Sequence, residues 1–243
     1  MKVAYLFAGH ARTWPNCHEN FFKNIHSVCP GDIFIHTWDR KNSKHGSYWN
    51  GWSSRLSGPL EDVSSEIIDI KQIVKTYNPK HMMVETDHGI DYLPNPYNAS
   101  PQYLPIMRWL ESSRKVFEIS QSFGDYDRYF MARLDVDFET PLDIEELKSD
   151  FMYFPSWWAM HDETVPGKLG LLDLFHFGNK EQLASRVGYK NKIGELWYAK
   201  IPSNRNTYEG AFTGYMHSTG VQIKNSNLKY TVPRVTGEVS RFI

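Results

Sequence analysis

Apolar and polar positions alternate between two periods along the first half of the chain. Val3 to Ala8 is an unbroken apolar run that reads as a buried strand. Asn16 to Val28 places Phe21, Phe22 and Ile25 on one side of a helix, and Asp32 to Trp38 (DIFIHTW) is a second strand. A polar, aromatic and glycine-rich loop over Lys41 to Pro59 follows. A helix is then expected to start near Ser64 or Ser65, either of which can cap it, with Ile67, Ile70, Ile73, Val74 and Tyr77 at helical spacing. His81 to Glu85 is a short third strand, and Asp87 to Ser100 is a loop with Pro94 and Pro96. A long helix runs from about Pro101, well suited to a first turn, to Phe123, with Tyr103, Ile106, Leu110 and Phe117 as its apolar stripe. Arg128 to Leu134 is the next strand.

The second half is less regular. Phe151 to Pro155 and Leu171 to Phe177 read as strands, Lys180 to Val187 and Tyr208 to Ser218 as helices, and Gly194 to Lys200 as a turn or two of helix. Strands alternating with helices predict an α/β fold: a mostly parallel, Rossmann-like central sheet flanked by helices. No repeat or linker divides the 243 residues, so a single domain is expected. In such sheets ligands bind beyond the carboxyl ends of the strands. The Gly9 to Thr13 loop, Asp39 and the residues after Leu134 all follow strands, and are expected to gather on one edge.

Composition narrows the function. A formal net charge of −1 leaves no basic stripe for a polyanion, so no nucleic-acid partner is expected. No stretch is long and apolar enough for a membrane span. The opening run before Gly9 is too short for a signal-peptide core, and Cys17 and Cys29 fit no zinc spacing, so both read as free thiols of a cytoplasmic protein. Aromatic residues make up 15% of the chain, which suits either ring stacking on a sugar or nucleobase or an aromatic core.

The chemistry concentrates in Met131 to Phe138 (MARLDVDF). Asp135 and Asp137, at i and i+2, are expected to project together from the C-terminal end of this strand, as two hard oxygen ligands for Mg2+ or Mn2+ beside a phosphorylated substrate. Were the reaction an inverting transfer to a hydroxyl, a carboxylate or His would be needed to take its proton. Asp162, Glu163, Asp173 and Glu209 are the candidates, with Asp173 first because it interrupts an apolar strand, and Glu209 second.

Four pieces of the chain together resemble the GT-A class of sugar-nucleotide-dependent glycosyltransferases. They are Ala8-Gly9-His10-Ala11-Arg12-Thr13 after the first strand, Asp32 to Asp39, Gln102-Tyr103 opening the long helix that leads to Tyr126-Asp127, and Arg133-Leu134-Asp135-Val136-Asp137 as the DxD motif. More narrowly, they look like the enzymes of polysaccharide clusters and of large DNA viruses that glycosylate their capsid proteins. The resemblance implies a GT-A domain over residues 1–243, with a nucleotide-sugar half in 1–138 and an acceptor half in 139–243. It also implies Mn2+ or Mg2+ held by Asp135 and Asp137, and a nucleoside-diphosphate sugar, UDP favoured, contacted by Gly9, Arg12, Asp39, Arg133 and Asp135. The acceptor is then a glycan hydroxyl and the location cytoplasmic, in a host cell if the source is viral. Inversion is the expected stereochemistry, with Asp173 or Glu209 as base. Trp157, Trp158 and His161 are candidates for an acceptor wall, and His217 for a late metal ligand.

Two other readings stand beside this one. A haloacid-dehalogenase-type phosphatase also uses an acidic pair after a strand. It carries the pair on the first strand with Thr or Val two residues on, where this chain has Glu139. A carbohydrate- or nucleotide-binding domain without activity is the other.

Overall fold

The structure is a computed structural model, which describes residues 1–41, 66–87, 104–155, 174–189, 212, 215–233 and 239–242, without the side chains of 104–107 and 239–242. A seven-stranded sheet forms its centre. Its strands in chain order are β1 (Val3–Ala8), β2 (Asp32–Trp38), β3 (His81–Glu85), β4 (Arg128–Ala132), β6 (Met152–Pro155), β7 (Phe175–Gly178) and β8 (Ile223–Ser226), between which the two-residue β5 (Asp137–Phe138) intervenes. The spatial order is β3-β2-β1-β4-β7-β6-β8. β7 pairs antiparallel with both β4 and β6, while the other pairings are parallel. The expected α/β class with a mostly parallel sheet flanked by helices is therefore observed. β5 joins a second sheet with β9 (Tyr230–Pro233) and β10 (Val239–Phe242).

Strand alternation separates two cores. Val3, Tyr5 and Phe7 of β1 face one layer, while Ala4, Leu6 and Ala8 face the other. The first layer is closed by α1 (His18–Phe21), the five-residue π-helical stretch Phe22–His26 that continues it, α2 (Ile70–Tyr77), α4 (Ile144–Lys148) and the small sheet. The second is closed by α3 (Leu104–Gln121), α5 (Lys180–Gly188) and the helical residues 215–218. Much of the aromatic excess lies inside. Phe130 stacks between Phe175 and Phe177, and Tyr153 stacks on Phe177 at 5.1 Å. Each such ring contributes roughly 1.5–3 kcal/mol of burial.

The connections place the site. From β1 to β2 to β3 the chain steps outward through helices packed on the first layer. After β3 it crosses to the other layer as α3 and returns as β4 on the far side of β1. The sheet thus has its topological switch point between β1 and β4, where open α/β sheets form a crevice beyond the strand ends.

Several expectations need correction. Glu66 to Asp69 are not helical. Ile67 pairs with Arg40 in an isolated bridge and is exposed, and Asp69 caps α2 by accepting from Gln72 N–H. Val74 is exposed too, so the apolar spacing continued past the buried face of Ile73 and Tyr77. β4 ends at Ala132, not Leu134, and Asp135 lies in a turn, so the acidic pair is not carried on one continuous strand. The long helix is observed over Leu104–Gln121, with Leu110 and Phe117 buried as expected; the side chain of Ile106, and Tyr103 altogether, lie outside the described residues. Cys17 and Cys29 are free and buried.

Candidate functional site

Beyond the carboxyl ends of β1 and β4, Ala132 is followed by a turn that reverses into β5. Arg133 closes this turn on Asp135 with a two-pronged ion pair: Nε donates to Oδ1 at 2.7 Å and the Nη2 nitrogen to Oδ2 at 2.5 Å. Arg12, from the loop after β1, brings a second guanidinium to 3.8 Å from the same Oδ2. The Asp135 side chain is 2% exposed, so its charge is held by these cations rather than by water. Arg12 is 28% exposed and reaches towards solvent.

Asp137 opens β5, opposite Thr231 of β9. It is half-buried, and its Oδ1 accepts from Asn20 Nδ2 at 2.8 Å. Both carboxylates lie near the buried Cys17 thiol, whose pKa is pushed up chiefly by burial and further by Asp135 and Asp137. The two acids therefore share one neighbourhood, although a turn and not a strand brings them there. Among the described residues, two guanidinium groups and two carboxylates balance in formal charge.

The loop joining β1 to this cluster is fastened at three points. Gly9, at φ +97°, donates its backbone N–H to Ser112 Oγ of α3 at 2.8 Å. The positive φ favours glycine, and a side chain there would also crowd Trp109 Cδ1 at 3.3 Å. His10 Nδ1 lies 3.2 Å from the Arg40 carbonyl, and Thr13 Oγ1 donates to the Pro233 carbonyl at 3.0 Å.

A second cluster adjoins the first beyond β2 and β3. Asp87, fully buried, takes a 2.6 Å ion pair from Arg108 of α3. Arg108 lies over the Trp38 ring, on which His10 also packs at 4.5 Å. His10 is held neutral, its pKa pushed down to about 3 by burial first and then by Arg12 and Arg108. Asp39 accepts the Asp87 N–H at 2.8 Å through Oδ1. The structure thus brings Gly9, Arg12, Asp39, Arg133, Asp135 and Asp137 to one edge, as their positions after strands imply.

Asp162, Glu163, Asp173, Glu209, Trp157, Trp158 and His161 lie outside the described residues. His217 is exposed on the helical residues 215–218, whose Met216 packs into the core on the other face of the sheet from Phe138 of β5. Among the described residues, no three or more His, Cys, Asp and Glu side chains are grouped to hold a metal ion, and no helix is long and apolar enough to cross a membrane. Sequence reasoning missed Arg108 and Ser112, which lie four apart on α3 and face the site. That polar i, i+4 pair within an otherwise amphipathic helix was the available signal. No protein-family model and no curated protein matches the chain.

Proposed function

We propose that the protein is a metal-dependent glycosyltransferase of the GT-A class. It moves a sugar from a nucleoside-diphosphate sugar, UDP-linked by preference, to a glycan hydroxyl. The observation that carries this reading is the Arg12–Asp135–Arg133 cluster, with Asp137 beside it, at the switch point between β1 and β4. Guanidinium groups at such a crevice match the oxygens of a diphosphate.

The donor set fits a divalent cation that arrives with oxygen ligands of its own. Asp137 is a hard carboxylate at the half-buried mouth, and Asp135 stands near it, engaged by Arg133. Held by Asp137 and Asp135, such a cation would supply positive charge against the developing charge of a departing nucleoside diphosphate. Arg12 and Arg133 add fixed positive charge on the same leaving group, and Asp135 holds both guanidinium groups in place. Asp39 and the buried Asp87–Arg108 pair form the neighbouring wall, on the side of β2 and β3, where the nucleoside is accommodated. The acceptor half of 139–243 supplies the base, Asp173 or Glu209, for an inverting attack by the acceptor hydroxyl.

The test is the thermal stability of the purified protein against UDP, GDP, dTDP and CDP, each with and without Mn2+. A metal-dependent rise in melting temperature with one nucleotide, lost in Asp137→Asn, supports the reading and names the base. No shift with any nucleotide favours a carbohydrate-binding domain without transferase activity. Release of inorganic phosphate from a generic monoester would instead indicate a phosphatase.

A further inference from the structure

Behind the Gly9 loop runs a buried polar chain that the proposed chemistry does not itself use. Ser112 Oγ accepts the Gly9 N–H and lies 2.7 Å from Nδ1 of His36, on β2. His36 Nε2 faces Glu85 Oε2, at the end of β3, at 3.2 Å without ideal hydrogen-bond alignment. Glu85 Oε1 accepts from Lys115 Nζ of α3 at 2.5 Å. The order of groups is that of a serine–histidine–carboxylate triad, but Ser112 and His36 are both 0% exposed, so no substrate reaches the hydroxyl.

Burial keeps the His36 imidazole neutral, pushing its pKa down to about 4 against the pull of Glu85. A neutral ring beside a carboxylate carries its proton on Nε2, which leaves Nδ1 to accept from the Ser112 hydroxyl. The donors then run one way: Gly9 N–H to Ser112, Ser112 O–H to His36 Nδ1, His36 N–H towards Glu85. The His36 carbonyl, 3.3 Å from Ser112 Oγ, is the competing acceptor, and the shorter 2.7 Å contact to Nδ1 favours the relay, whose links polarise one another. The loop hung from Ser112 is the one that delivers Arg12 to Asp135, three residues on.

We infer that Ser112 and His36, backed by Glu85 and Lys115, are positioning residues that set the Gly9–Thr13 loop, and through it Arg12, for the diphosphate of the donor. The inference rests on the transferase reading for what Arg12 binds, while the relay itself has a readout independent of nucleotide.

The experiment is a double-mutant cycle in nucleotide affinity, joined to nitrogen-15 NMR of the histidine rings. Ser112→Ala is expected to weaken metal-dependent binding of the responding nucleoside diphosphate about tenfold, the scale of one lost buried hydrogen bond. In an Arg12→Ala background the same change is expected to shift affinity less than about twofold, because the relay acts through Arg12. Glu85→Gln, a half-exposed site that leaves the buried links in place, is expected to weaken binding about threefold in the presence of Arg12. It too should lose its effect in the Arg12→Ala background. At pH 7 the His36 ring is expected to show a protonated Nε2 and a hydrogen-bonded, unprotonated Nδ1. Equal losses with and without Arg12, or a His36 proton on Nδ1, overturn the relay while nucleotide binding by the unaltered protein stands. An unaltered protein that binds no nucleoside diphosphate overturns the transferase reading and the role of Arg12 together.

Discussion

Asp135 and Asp137 are two residues apart in sequence and differ sharply in environment. Asp135 is buried between two arginines, whereas Asp137 is half-buried and accepts from Asn20. Removing one partner of a buried ion pair strands the other charge. Asp135→Asn is therefore expected to cost about 2–4 kcal/mol of stability, lowered from the fully buried case because Arg12 and Arg133 keep some contact with water. Asp137→Asn is expected to cost under about 1 kcal/mol, since an amide can still bond to Asn20. Urea unfolding of the two variants checks the contrast, and equal losses would contradict it. Asp137→Asn is thus the cleaner probe of the proposed cation, because lost nucleotide response in Asp135→Asn is mixed with unfolding. The sequence singled out this pair by its place after an apolar strand, but its geometry was not legible there. The i, i+2 rule assumes a continuing strand, and the clamp of Arg133 on Asp135 bends the chain after Ala132.

At the scale of elements, α2 shows how a local cap outweighs apolar spacing. Its first residue is Ile70, because the Asp69 carboxylate satisfies Gln72 N–H and the preceding chain is drawn into a bridge with Arg40. Asp69→Ala is expected to lower stability by about 1 kcal/mol, with Asp69→Asn near neutral, in thermal unfolding. Gly9→Ala is expected to cost about 1–2 kcal/mol, from a positive φ and the approach to Trp109, and to weaken nucleotide binding by disturbing Arg12. β1, β2 and β3 were legible to the residue, since β1 and β2 are largely buried apolar runs and the half-buried edge strand β3 is short and apolar at its centre, each bounded by polar punctuation. β5, β8, β9 and β10 were not. They are two to four residues long, some as polar as Ile-Lys-Asn-Ser, and exist by pairing with strands distant in sequence. No local pattern reports such a pairing. The polar spacing of Arg108, Ser112 and Lys115 on α3 was visible in the sequence, but not its role, because their partners His36, Glu85 and Asp87 lie far away in the chain.

Across the whole molecule, the core carries neutral histidines that tie stability to pH. His36 titrates at about 4 and His10 at about 3, and His176 is held well below its ordinary value by burial first and then by Arg186. Each ordinary value is 6.5, so acidification protonates these rings in the unfolded chain before the folded one. The unfolded state then binds more protons, and stability falls by about 1.4 kcal/mol per pH unit for each ring below pH ~6.5 until its folded pKa is reached. The depressed carboxyls of Asp32 and Glu85 act in the same direction only nearer their own ordinary values of 3.8 and 4.5, so the interval from pH 6.5 to 5 belongs to the histidines. On the alkaline side the raised thiol of Cys17 begins to favour unfolding above its ordinary value of 9.0. A stability plateau between these limits is expected. His176 isolates one contribution, since it stacks on Phe154 and neither of its ring nitrogens has a hydrogen-bond partner among the described residues. His176→Phe keeps the stack and removes the titration. The variant is expected to match the parent within about 1 kcal/mol at pH 7.5 and to exceed it by about 2 kcal/mol at pH 5, as 1.5 pH units at the rate above require. Urea midpoints at the two pH values measure this, and a difference that does not grow with acid would place the sensitivity elsewhere than in the buried ring.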